Sequence, residues 1–183
     1  LDGTVFTNSI DLSALAAGSY TVTVLDANNC ETTTSFSITE PDALSVSVSM
    51  SSDVSCNAGT DGSVSLLAAG GTAPYQYSHD GTTFGSESDF TNLAAGTYTF
   101  TIQDANGCTA TVSSTISEPD ALALTFQSAN ISCNGTADGE ITPTTTGGTA
   151  PYEYSLDGTT FQSGAFSGQA AGTYTLTVRD ANG

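Results

Sequence analysis

The chain has no lysine, no tryptophan, one histidine, one methionine and a single basic residue, Arg179. Against these stand 19 acidic residues, for a net charge of -18. So few cations cannot neutralise a phosphate backbone, which excludes nucleic acid as a partner. The same imbalance argues against anionic lipid. No run of about 18 apolar residues is present, so no segment is expected to insert into a membrane. The acids are scattered singly, and apolar residues alternate strongly between them, which marks a folded chain rather than an acidic tail. Catalysis is poorly provided for. His79 and Arg179 have no equivalents in the matching positions of the sister copies described next, where Leu156, Leu25 and Gln103 stand. There is no phosphate-binding glycine loop, and no carboxylate pair is marked out for acid–base work. The sequence therefore reads as non-enzymatic.

What is abundant is repetition. Asp-Gly pairs fall at Asp2, Asp80 and Asp157, which are 78 and 77 residues apart. "AAG(S/T)Y" recurs at Ala16–Tyr20, Ala94–Tyr98 and Ala170–Tyr174, "EPDAL" at Glu40 and Glu118, and "SCN" at Ser55 and Ser132. A fixed period of this size signifies a tandem array. With "EPDA" as the joint, residues 1–41 are the back half of one repeat, 42–119 a complete repeat, and 120–183 a truncated third. The phrase "DAN(N/G)C" closes on Cys30 and Cys108, so cysteine is the residue expected after Gly183.

In "TYTFTIQD", Tyr98, Phe100 and Ile102 alternate with threonines, giving a strand with one buried and one wet face. Tyr20, Val22 and Val24, and Tyr174, Leu176 and Val178, form the equivalent sets. "DANG" is expected to be a tight turn in which Gly107 takes positive φ, with Asn29 substituting in the first copy. Ala110, Val112 and Ile116 then face inward on the return strand. "YSHDGTTF" reads as a strand, an Asp-Gly hairpin turn and a return. Leu93-x-x-Gly96-x-Tyr98 has the form of a tyrosine corner, repeated at Tyr20 and Tyr174, with Gln169 replacing the leucine in the third copy and predicting a looser corner there. Turn signals every 8 to 12 residues and no helical period predict an all-β fold: tandem Ig-like antiparallel β-sandwich domains of about seven strands, linked end to end.

Two cysteines per small repeat suggest disulfides. Cys56–Cys108 is one pairing; Cys30–Cys56 with Cys108–Cys133 is the other. A cysteine-based zinc site is poorly supplied with ligands. Loop acids recur in register, and Asp42, Asp61, Asp104, Asp120, Asp138 and Asp180 are candidate calcium ligands, although turns favour aspartate on their own account. Tyr75, Tyr77 and Tyr98 could stack on sugars, but strand alternation assigns them to the core.

The ordered elements "SCNGTADGEI", "GGTAPYEYS" and "AAGTYTLTVRDANG", with "SCNAGTDGSVSLL", "GGTAPYQYS" and "LAAGTYTFTIQDANGC" in the complete copy, closely resemble the SprB repeat. That resemblance implies a secreted, surface-displayed repeat array of a gliding-type bacterium of the Bacteroidetes, exported by the type IX route. The expected partners are neighbouring repeats of the same chain, an external surface or polysaccharide, or further copies associating into filaments.

Overall fold

Residues 12–183 are described in a computed structural model. The first eleven residues, including the Asp2-Gly3 turn expected from the repeat, lie outside them. Thirteen strands and no helix occur among the described residues. The first copy contributes a hairpin, β1 (Gly18–Leu25) and β2 (Glu31–Ile38). The complete copy contributes β3 (Ser45–Ser52), β4 (Gly62–Ala69), β5 (Gln76–Ser78), β6 (Asp89–Leu93), β7 (Gly96–Gln103) and β8 (Thr109–Ile116). The third contributes β9 (Ala123–Ala129), β10 (Gly139–Thr146), β11 (Glu153–Ser155), β12 (Phe166–Gln169) and β13 (Thr177–Arg179).

The complete repeat is two three-stranded antiparallel sheets, ordered β3-β4-β6 and β5-β7-β8. Val64 and Leu66 of β4 and Leu93 of β6 meet Phe100 of β7 and Ile116 of β8, with Val54 closing one end. Val64 and Phe100 are wholly buried. Phe90 brings its ring centroid within 4.8 Å of that of Phe100, joining the two sheets through an aromatic pair. β7 and β8 pair without a slip from Gly96↔Ile116 to Gln103↔Thr109, so every second residue of β7 faces the core. Burial of those alternate side chains specifies this register, because a one-residue slip would turn all of them to solvent.

Six strands form where about seven were expected, which corrects the count. The return strand after the Asp80-Gly81 turn is a single bridge, Tyr77 to Gly85. Its amides are used elsewhere. Asp80 Oδ1 accepts from Thr82 N at 2.8 Å and Thr83 N at 2.7 Å, and Ser78 Oγ accepts from Gly81 N at 2.9 Å. Those N–H groups are taken by side chains and add no rung beyond the Tyr77–Gly85 bridge. Ser155 and Asp157 build the same loop in the third copy. β6, by contrast, escapes a pattern search because Asn92, at φ 59°, breaks the alternation; Gly168, at φ 73°, takes its place in β12.

The third copy repeats both sheets, but β13 covers only three residues, where its counterpart β7 covers eight. β7 is supported along its length by β8 and over three residues by β5; β13 is defined by β11 alone. The shorter strand therefore reflects pairing rather than Gln169.

These strands define two poles in the complete repeat. The near pole, beside the joint that precedes the repeat, gathers Ser45, Ala69, Gln103 and Thr109. The far pole gathers Ser52, Gly62, Leu93, Gly96 and Ile116, with the loop 53–59 beyond it.

Candidate functional site: the joint between repeats

Six residues separate β8 from β9, and hydrogen bonds fix them from both sides. On the side of the complete repeat, Ser117 O accepts from Val54 N at 2.9 Å and Ser117 N donates to Asp53 Oδ1 at 2.8 Å. Glu118 Oε2 accepts from Ala58 N at 2.6 Å, and Pro119 O accepts from Asn57 Nδ2 at 3.1 Å. On the third copy's side, Asp120 O accepts from Gly148 N at 2.7 Å. Gly147, at φ 72°, lies directly against the backbone of Ala121. The preceding joint uses the same device, with Gly71 N donating to Asp42 O at 2.7 Å and Gly70 packed on Ala43. Among the described residues one hydrogen bond crosses from repeat to repeat: Asn182 Nδ2 donates to Ser55 O at 2.7 Å.

The near pole is organised by one aspartate. Asp104, 6% exposed, accepts from Thr72 N at 2.9 Å on Oδ2, and from Asn106 N at 2.9 Å and Cys108 N at 2.8 Å on Oδ1. Burial pushes its carboxyl up, but the amide donors of Thr72, Cys108 and Asn106 together bring it below the usual range. Asp180 accepts from Thr149 N and Asn182 N, which lower its pKa likewise. Tyrosine hydroxyls close the same pole, Tyr75 donating to Gly70 O at 2.6 Å and Tyr152 to Gly147 O at 2.7 Å. Sequence reading missed these latches; their signal is the constant spacing of Gly-Gly-x-x-x-Tyr.

At the far end of β7, Tyr98 Oη donates to Ala94 O at 3.0 Å. Tyr20 and Tyr174 make the same bond to Ala16 and Ala170, at 2.7 and 2.9 Å. Gln169 thus leaves the third corner's hydrogen bond intact. Tyr98→Phe keeps the ring and removes the bond. It is expected to cost about 0.5–1.5 kcal/mol in chemical denaturation of the complete repeat.

The six candidate calcium ligands do not converge, and no group of three or more metal-binding side chains exists among the described residues. Asp61 and Asp138 hold the amides of Ser55 and Ser132, each at 3.0 Å, and Asp104 and Asp180 hold their own turns. Asp42 and Asp120 act through their backbone carbonyls. A carboxylate oxygen already facing N–H groups is poorly placed to take a cation.

These bonds carry a pH signature. Thr83 and Thr82 amides, then the Ser78 hydroxyl, hold Asp80 well below the usual carboxylate range, and Asp157 is held likewise by Thr160, Thr159 and Ser155. Hydrogen bonds from Ser55 lower Asp61, and those from Ser132 lower Asp138. Because the folded pKa is the depressed one, the stabilisation is present above the unfolded value, about 3.9, and is lost as pH falls through the folded value. The melting temperature should drop progressively below about pH 4, and Asp80→Asn should make the drop shallower.

Neither disulfide pairing fits. All four cysteines are free and exposed. Cys56 lies in the far-pole loop and Cys108 at the near pole, where its amide bonds Asp104. Eight-residue strands separate the poles, about 24 Å at roughly 3.4 Å per residue, whereas a disulfide needs Cα atoms within about 7 Å. Cys30 follows the β1–β2 turn, a strand's length before the joint, and Cys56 lies a strand's length after it. Cys108 and Cys133 are likewise separated by β8 and β9.

The remaining candidates have structural surroundings. His79 is exposed, with its ring edge toward Phe90 at 5.6 Å. Arg179 pairs with Glu153 at 2.5 Å and lies 4.1 Å over the Phe161 ring. A cavity of about 510 Å³ in the third copy, lined by Phe126, Ile131, Ile141 and Tyr174 among others, occupies the face that β8 covers in the complete repeat. On the outer face of β7 and β8, Thr97 bonds Thr115 and Thr99 bonds Ser113, both at 3.1 Å. Ser19–Ser37 and Thr21–Ser35 repeat this hydroxyl ladder in the first copy.

Two facing sheets with a tyrosine corner, recurring along the chain through hydrogen-bonded joints, define an all-β tandem-repeat protein of sandwich domains. Residues 48–83 and 125–161 match the family described as SprB repeat, one segment in each of the last two copies. Comparison with curated proteins finds no match.

Proposed function

We propose that the chain is a length of stalk in a long, secreted cell-surface adhesin or filament of a gliding-type bacterium. The SprB repeat supports a surface-adhesin setting in general terms. The observation that carries the stalk reading is the joint: backbone or side-chain hydrogen bonds hold Ser117, Glu118, Pro119 and Asp120 to one neighbour or the other. A joint held in this way on both sides transmits direction, so repeats add length rather than coil. Each repeat contributes about 35–40 Å, from strands rising roughly 3.4 Å per residue plus loops. The acidic surface keeps stalks from collapsing on one another. An antibody against the complete repeat, followed on living cells of the source organism, tests this. Surface labelling that travels along the cell supports a motile adhesin, static extended fibres support a filament, and absence of surface label overturns both.

The hydroxyl ladders favour a second reading, in which each repeat binds polysaccharide weakly and copies add avidity. Glycan binding that rises steeply with the number of copies would favour it over a bare stalk.

A further inference from the structure

We propose that successive repeats are locked by a disulfide across each joint, between the Ser-Cys-Asn cysteine of one repeat and the cysteine that ends the Asp-Ala-Asn turn of the next. The two cysteines of a repeat lie at opposite poles and cannot meet each other. In a tandem array, however, the far pole of one repeat faces the near pole of the next. The contact already exists at the joint between the last two copies, where Asn182 of the turn bonds Ser55, the residue preceding Cys56. The matching turn in the complete repeat places Cys108 two residues after Asn106, its amide held at 2.8 Å by Asp104; Cys30 is held at 2.9 Å by Asp26 in the same way. Two residues beyond Asn182 reach at most about 7 Å of chain, enough to bring the next side chain to Cys56. Both cysteine types are solvent-exposed, as exchange chemistry requires.

This assignment gives each cysteine a partner in a different repeat. By the same symmetry, the loop from Cys133 to Asp138 is the seat for the Asp-Ala-Asn turn of a following repeat. The chemistry balances as thiol–disulfide exchange. Each thiol loses a proton, and two electrons pass to a disulfide-bearing oxidant of the cell exterior, which is released as two thiols. The extracellular reading above matters here only as the source of that oxidant.

The test supplies the oxidant, so failure would count against the joint geometry and not against surface display. The chain is prepared with one cysteine added after Gly183 and equilibrated with a mixture of oxidised and reduced glutathione. Non-reducing digestion and mass spectrometry should then find Cys56 joined to the added residue, with a higher melting temperature that reductant reverses. Cys56→Ser should abolish the crosslink, and Cys133→Ser should leave it intact, with circular dichroism checking that both variants fold. An added cysteine that stays free, or that joins Cys30, Cys108 or Cys133 instead, would overturn the proposal.

Discussion

Phe100→Ala is expected to unfold the complete repeat, or bring it to the edge of unfolding, at room temperature. Phe100 is wholly buried and contacts both sheets through Phe90 and Tyr98. Removing its ring deletes the transfer free energy and leaves a cavity, together costing about 3–5 kcal/mol. A domain of this size has roughly 4–12 kcal/mol to lose, at about 0.05–0.15 kcal/mol per residue. Urea denaturation followed by circular dichroism should show a separate, early transition for this repeat. Phe100→Leu, which keeps most of the volume, should retain a midpoint much nearer the parent's.

Gly147→Ala should open the joint. The glycine has φ 72°, and an added Cβ would lie 2.7 Å from the carbonyl carbon of Ala121 and 2.9 Å from Asp120 O. These are backbone atoms held by the Gly148–Asp120 bond, so neither side can yield without losing it. Left-handed strain alone costs an alanine about 1–2 kcal/mol, and the clash adds to that. Gly158→Ala is the matched control: its φ is 75°, but nothing lies within 4 Å of the added carbon. Small-angle scattering should show a shorter maximum dimension for Gly147→Ala and an unchanged one for Gly158→Ala. Equal profiles would mean that the joint's stiffness does not depend on this contact.

The strands that alternate strictly were legible in sequence. β7 was visible because Tyr98, Phe100 and Ile102 share a face, and the turn after it because Asn29 and Gly107 both suit positive φ, found at 64° and 83°. β6 was not, since Asn92 interrupts its period. The hairpin expected after Tyr77 failed because Ser78 and Asp80 bond their own loop, and propensity for a turn does not reveal where the amides on either side will go. The cysteine pairings failed for a different reason. Spacing along the chain carries no information about which pole a loop occupies, and that depends on strand direction. The acids were found at the right loops, but their partners are backbone amides, so an aspartate that shapes a turn resembles one that binds an ion until its neighbours are seen.

The pole arrangement has a mechanical consequence. The chain enters the complete repeat at one end, at Ser45 on β3, and leaves from the other, at Ile116 on β8. Tension along the array therefore pulls parallel to the strands, at right angles to the hydrogen bonds joining β3 to β4 and β7 to β8. Under such a load the pairs must slide in shear, breaking many bonds at once, instead of peeling apart one rung after another. Each repeat is thus oriented to resist a pull along its strands.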